Sequence, residues 1–186
     1  MRIIGGARRG LKLAEVGEGD VSAHLRPTSD RVREAIFNLL INAHGNPVAG
    51  ARVLDLFAGT GALGLEALSR GAADVTFVDD GAKAVALIRA NIAKMRAEGE
   101  TRVLRQDVRK LGPNAGAGYG LVFLDPPYGK GLGELALAGA LAGGWLSPGA
   151  MVVWEEGAAP VVPEGLVLVD QRKYGDTAVT LVRVVG

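Results

Sequence analysis

From residue 51 onward, short apolar runs take turns with longer stretches whose apolar positions recur every three or four residues. Residues 52–57, 74–78, 102–106, 119–124 and 150–154 are the short runs, which predicts strands. Residues 62–70, 82–97 and 132–141 carry the helical spacing, the first closing at Gly71 and the second near Gly99. Two further strand patterns, 166–173 and 177–185, meet at Tyr174-Gly175-Asp176, which predicts a hairpin. Alternating strands and helices make a mainly parallel sheet with helices on both faces, and the hairpin adds antiparallel strands at one edge. The expected fold class is therefore α/β.

The first 50 residues follow another pattern. Arg2-Ile3-Ile4 and Leu11-Lys12-Leu13 flank Gly-Gly-Ala-Arg-Arg-Gly, which reads as a short hairpin or extended arm with arginines at its tip. Residues 14–27 read as loop. Thr28, Ser29 and Asp30 are candidate caps for a helix in which Val32, Ile36, Leu39, Leu40 and Ala43 recur, ended by Gly45-Asn46-Pro47. The expected division is an arm and helix over 1–45 and a main domain over 46–186. Residues 135–154 lack any charge for the length of a membrane span. Gly143-Gly144 and Ser147-Pro148-Gly149 interrupt them, so a buried helix, a turn and a buried strand are expected.

Composition narrows the classes. Of 186 residues 48% are hydrophobic and 22% charged, which suits a packed core and excludes wholesale disorder. There is no cysteine and there are two histidines, so neither a disulfide framework nor a metal site is expected. The N-terminus lacks the apolar stretch of a secretory signal. A cytoplasmic protein with no membrane contact is expected, and nothing requires more than a monomer. The net charge of +1 hides an asymmetry. Residues 1–33 hold seven basic and four acidic side chains, against 14 and 16 in the rest. A basic arm on a near-neutral body suits phosphates, although a solvated surface gives the same pattern.

Two loops carry candidate chemistry. Residues 53–64 read Val-Leu-Asp-Leu-Phe-Ala-Gly-Thr-Gly-Ala-Leu-Gly and pass from a strand into a helix. Ligands of open α/β sheets sit at such junctions. Gly59, Gly61 and Gly64 match the dinucleotide fingerprint. Asp55 opposes that match, because a carboxylate beside this helix start would repel a pyrophosphate. It suits a cation, such as the ammonium and sulfonium of S-adenosylmethionine. Phe57 and Thr60 belong to the same loop. Asp79, closing the next strand, is placed to accept ribose hydroxyls, with Asp80 as its alternate. Asp107 and Val108, after the third strand, are placed at an adenine amino group.

The second loop is Asp125-Pro126-Pro127-Tyr128, which closes the strand over 119–124. Two prolines stiffen it and remove two donors. An aromatic exocyclic amine is a poor nucleophile because its lone pair is delocalised. The Asp125 carboxylate and Pro126 carbonyl can accept both amine hydrogens, and Tyr128 can stack on the base. Extrusion of a base into such a pocket is the habit of base-modifying enzymes. A methyl donor that is already activated needs neither metal nor covalent nucleophile.

Together the two loops resemble class I methyltransferases acting on base amino groups. Arg2-Ile3-Ile4-Gly5-Gly6 with Arg8-Arg9-Gly10, the run Arg26-Pro27-Thr28-Ser29-Asp30-Arg31-Val32-Arg33-Glu34-Ala35-Ile36-Phe37-Asn38, the run 61–71 and the closing 172–177 segment extend the likeness over nearly the whole chain. The combination is similar to the RsmD family of bacterial 16S rRNA (guanine-N2) methyltransferases. The resemblance implies a Rossmann-like, seven-stranded sheet, S-adenosylmethionine as donor with S-adenosylhomocysteine as product, and methylation of guanine 966 in the small ribosomal subunit. It differs at Asp79-Asp80-Gly81, where the family often has Glu and an Asp two residues later. Arg8, Arg9, Arg26, Arg31 and Arg33 are the expected RNA contacts, while Arg26 and Thr28 could instead lie over the cofactor or base. Glu66 and Arg70 read as a surface ion pair, and Trp145 and Trp154 as core. Three other readings stand beside this one: a DNA adenine-N6 methyltransferase with the same chemistry, a dinucleotide-dependent oxidoreductase, and a non-catalytic RNA-binding protein.

Overall fold

The structure is a computed structural model that describes residues 1–15 and 28–186. After the arm come helix α1 (Asp30–Ala43), β1 (Arg52–Leu56), α2 (Ala62–Ser69), β2 (Asp74–Asp79) and α3 (Ala82–Met95). Then follow β3 (Thr101–Arg105), β4 (Tyr119–Leu124), α4 (Leu132–Ala142), β5 (Leu146–Glu156), β6 (Leu166–Tyr174) and β7 (Thr177–Val184). The seven strands form one sheet in the order β3-β2-β1-β4-β5-β7-β6. β1 to β5 run parallel, and β7 is antiparallel to both β5 and β6. This is a Rossmann-like, mostly parallel sheet with an antiparallel C-terminal hairpin.

The central strands are apolar almost throughout because both faces are covered. On one face α1, α2 and α3 pack over Val53, Phe77, Phe123 and Val153. Ile3 and Leu13 of the arm enter this same core, so residues 1–15 are part of its packing. On the other face Leu137 and Ala140 of α4 pack with Leu54, Val122 and Val152, and both tryptophans are buried there. Among the described residues no helix is long and apolar enough to cross a membrane.

Two boundaries depart from the sequence pattern. Helix α3 stops at Met95, short of Gly99, because Arg96 takes a left-handed conformation (φ 52°) and caps it. Strand β5 begins at Leu146, and Ser147-Pro148-Gly149 forms a wide bulge inside it. Pairing with β4 jumps from Tyr119–Leu146 to Leu121–Met151 across that bulge. Of the three candidate caps on α1, Ser29 serves: its hydroxyl accepts from the Val32 N–H at 3.2 Å.

Candidate active site

Strand order reverses between β1 and β4, so their carboxyl ends diverge into a crevice. A cleft of about 1050 Å³ opens there. β1 ends in Asp55 and Leu56 and β4 ends in Leu124, paired with Leu56 in register, so Asp125 follows beside the β1 loop. Asp55, Phe57, Ala58, Gly59 and Thr60 form one wall, and Asp125, Pro126, Pro127 and Tyr128 another. Thr28, Ser29 and Val32 contribute from the start of α1, and Asp176 and Thr177 from the hairpin.

Asp55 is buried and its Oδ2 accepts the Gly64 N–H at 3.0 Å. That contact requires glycine: a Cβ at 64 would lie 2.5 Å from the Phe77 ring and 2.8 Å from Val75. Gly64 is not among the residues that line the cleft; it sits behind Asp55 and lets α2 approach the sheet. Gly61 likewise starts α2, in the left-handed region (φ 81°), and is not among the lining residues. Phe57 also takes a positive φ, 57°, at the end of β1. A non-glycine residue held so costs about 1–3 kcal/mol and belongs where a loop must be shaped for function. Burial raises the Asp55 pKa well above the usual carboxylate range; the Gly64 bond opposes this, and the nearby Asp125 and Asp79 charges add to it. A cation placed beside it would favour its ionised form.

Asp79 lines the cleft with its carboxylate between two loops. Its Oδ2 accepts from Gly59 N at 3.0 Å and its Oδ1 from Gly81 N at 2.9 Å. Burial raises its pKa against the pull of those two bonds. Its neighbour Asp80 is exposed and does not line the cleft. Asp107 caps a short 3-10 turn and clasps Arg109 at 2.8 and 3.0 Å, contacts that lower its pKa to about 2. Val108 is buried in the core under α4. Neither lines the cleft.

At the second loop, Tyr128 is 37% exposed at the rim, with its hydroxyl 3.4 Å from Thr177 Oγ1. The Gly129 N–H donates to Glu156 at 3.1 Å and ties the loop to the end of β5. Glu155, buried and lining the cleft, lies outside the residues to which the two sequence loops point. The Thr28 hydroxyl joins it to Asp125: Oγ1 lies 3.4 Å from Asp125 Oδ2 and 3.2 and 3.3 Å from the two Glu155 oxygens. Burial is the main cause that raises both acids, Asp125 to about 7. The sequence did carry a signal. An acid at the end of an apolar strand marks Asp55, near the end of 52–57, and Asp125, directly after 119–124, and Glu155-Glu156 after 150–154 repeats it.

The expected arginines divide. Arg9 and Arg31 are exposed. Arg8 is partly engaged, donating to Met95 O at 3.0 Å and meeting Glu100 at 3.4 Å. Arg26 lies outside the described residues. Arg33 is not a surface contact: it is fully buried, bound to Glu66, Asp30, the Thr28 carbonyl and the Arg2 carbonyl. Glu66 is no surface residue either. Its buried carboxylate accepts from Ile4 N, Gly5 N, Arg33 and Arg70, so the helical pair with Arg70 is part of a buried junction.

The lining acids Asp55, Asp79, Asp125, Glu155 and Asp176 face Lys130, the one basic side chain among the described lining residues. That balance fits a cationic ligand and opposes a pyrophosphate. Comparison with known proteins agrees with this geometry. The family model described as conserved hypothetical protein 95 matches residues 1–183. The Escherichia coli K12 protein named ribosomal RNA small subunit methyltransferase D is 40% identical over 97% of this chain and 88% of its own. The solved structure of Escherichia coli yhhF, described as a candidate methyltransferase, superposes with a TM-score of 0.84 at 36% identity, covering 100% of this chain and 98% of that one. A hypothetical protein from Thermus thermophilus gives 0.78 at 33% identity, covering 99% of each chain. The chain belongs to the conserved hypothetical protein 95 family, the RsmD family of Rossmann-like class I methyltransferases.

Proposed function

We propose that this protein transfers a methyl group from S-adenosylmethionine to the exocyclic N2 amine of a guanine in 16S rRNA of the small ribosomal subunit, at the position 966 that the family resemblance implies. The observation that carries the reading is the junction of two strand-end acids. Asp55 and Asp125 end neighbouring parallel strands and line one cleft, so a cationic methyl donor and an amine acceptor can be held side by side.

When bound, S-adenosylmethionine supplies a methyl carbon already activated by a sulfonium and leaves as S-adenosylhomocysteine. The residues present fit it. Asp55, drawn to its ionised form by the donor's positive charge, offers a buried carboxylate for the amino-acid end, and Asp79, bridging Gly59 and Gly81, still has free lone pairs for ribose hydroxyls. Gly59 and Thr60 form the wall between them. The Asp125 carboxylate and the Pro126 carbonyl hold the amine hydrogens so that the nitrogen lone pair is freed from the ring. Tyr128 stacks on the base. Asp125, raised to about 7, then takes the proton that the methylated nitrogen must lose.

Residues 1–45 serve as the RNA-contacting extension in this reading, with exposed Arg9 and Arg31 on phosphates. The test is methyl transfer from labelled S-adenosylmethionine to small subunits lacking base methylation, followed by nucleoside analysis. N2-methylguanosine that is absent with Asp125→Ala supports the reading. Label in N6-methyladenine, or only when DNA is supplied, replaces the substrate and keeps the chemistry. NADH binding without S-adenosylhomocysteine binding would reject it altogether.

A further inference from the structure

We infer that Glu155 is the specificity-determining residue of this site: beside Asp125 it presents a second carboxylate to the base edge, and so selects an amine flanked by a ring N–H, the pattern of guanine. The inference rests on the proposed methyl transfer to a base amine.

β4 and β5 pair in parallel with Leu124 opposite Trp154, so Asp125 and Glu155 follow at adjacent strand ends. Neighbouring strands lie about 4.8 Å apart, which lets two carboxylates address neighbouring positions of one base edge. Glu155 is 2% exposed yet lines the cleft, so what solvent or ligand it meets comes through the cleft. The Thr28 hydroxyl stands within 3.4 Å of Asp125 Oδ2 and within 3.3 Å of both Glu155 oxygens. It has a single proton and can serve one of those oxygens at a time. With the two acids ionised the wall is rich in acceptors and short of donors, and a buried acceptor without a donor is costly.

The bases differ in what flanks the amine. In guanine the N2 amine lies between N1–H and N3, giving consecutive donors along its Watson–Crick edge. In adenine the N6 amine adjoins N1, and in cytosine the N4 amine adjoins N3, each bearing a lone pair. With Asp125 and Pro126 on the amine hydrogens, Glu155 falls to the neighbouring ring position. There it accepts the guanine N1–H, whereas against adenine or cytosine it opposes a lone pair. The N1–H and a cation held at Asp55 both favour its ionised form. Sites built to hydrogen-bond a substrate group reject the analogue lacking it far more strongly than apolar pockets reject a methylene.

The test uses small subunits reconstituted with 16S RNA carrying either guanine or 2-aminopurine at the methylated position. 2-Aminopurine keeps the N2 amine, replaces N1–H by a lone pair and lacks O6, so the change in the ratio with Glu155→Gln isolates the ring-nitrogen contact. The wild-type protein is expected to lose at least about 100-fold in kcat/KM on 2-aminopurine. Glu155→Gln, whose amide can donate to N1, is expected to narrow the ratio to within about 10-fold. Equal use of both bases by the wild type overturns the role of Glu155 while leaving guanine methylation standing. A Glu155→Gln variant that slows both bases equally also overturns it, as a structural effect would. If the wild type binds S-adenosylmethionine and methylates neither base, the proposed function itself fails.

Discussion

Arg33 Nε lies 3.3 Å from Glu66 Oε1, and neither side chain has exposed surface. The pair joins three segments far apart in sequence. Glu66 on α2 also accepts from the backbone of Ile4 and Gly5 in the arm, at 2.9 and 3.0 Å, while Arg33 on α1 reaches the Thr28 carbonyl at 3.5 Å. Thr28 in turn carries the hydroxyl between Asp125 and Glu155. The buried junction therefore connects the arm to the acids of the cleft.

Removing one partner of a buried pair leaves the other charge uncompensated, at about 3–5 kcal/mol. Arg33→Met is expected to lose stability of that order in urea denaturation, and Glu66→Gln somewhat less because its carbonyl still accepts. A change below about 1 kcal/mol in Arg33→Met would mean that Arg70 and the arm backbone satisfy Glu66 alone.

Asp55 and Asp125 should fail differently. Asp55→Ala is expected to weaken S-adenosylmethionine binding at least about 10-fold, because the charge facing the donor is gone. Asp125→Ala is expected to leave that affinity within a few-fold while kcat falls at least about 100-fold. Isothermal titration and single-turnover assays separate the two. Strong loss of donor binding in Asp125→Ala would misassign the second loop.

Gly64→Ala places a methyl group 2.5 Å from the Phe77 ring and 3.0 Å from Asp55 Oδ2. Overpacking of this kind costs about 1–3 kcal/mol. Thermal unfolding is expected to shift down, and donor affinity should fall with it as Asp55 is displaced. Wild-type values for both would show that α2 yields readily.

The loops that bring the acids together are legible in the sequence because each acid sits at or near the end of an apolar strand, with Gly59 and Gly61 soon after Asp55 and Pro126-Pro127 directly after Asp125, and glycine and proline punctuate the chain locally. What cannot be read so easily is which charged side chains point inward. Arg33, Ile36, Phe37 and Leu40 form the buried stripe of α1, spaced one helical face, but a stripe drawn through Val32, Leu39 and Ala43 puts Arg33 outside. The choice between those faces is made by Glu66, 33 residues along the chain. α2 shows no polar face because all eight of its residues are buried. Asp107 shows the opposite case: its partner is Arg109, two residues away, a local contact that the sequence pattern did not signal.

The raised acids make stability depend on pH. Asp125, Glu155 and Asp55 hold protons more tightly folded than unfolded, so the native state binds more protons above the ordinary carboxylate range. The stability this lends is complete below the unfolded values, near pH 4, and is lost as pH rises through the folded ones, about 7 for Asp125. The melting temperature of the ligand-free protein is expected to fall from pH 5 to pH 8 by about 3–5 °C per unit while one carboxyl titrates. S-Adenosylmethionine should stabilise more at pH 8 than at pH 5, since its charge favours the ionised acids. A melting temperature that rises over this window would contradict the burial of these groups.

Helix α2 has a consequence for how this protein can vary. Its first turn backs the Asp55 loop, and its last residue, Ser69, receives the arm: the Ser69 carbonyl accepts from Ala7 N at 2.8 Å, and a Cβ on Gly6 would lie 1.9 Å from that oxygen. Eight residues at about 1.5 Å each make a rigid rod of about 12 Å. It acts as a ruler that fixes the spacing and the angle between the arm and the donor loop. One inserted residue would swing Glu66 and Ser69 by about 100° relative to Asp55, unseating the arm in a single step. A length change in this protein is therefore expected to be borne by the outer loops and to be disruptive in this one short helix.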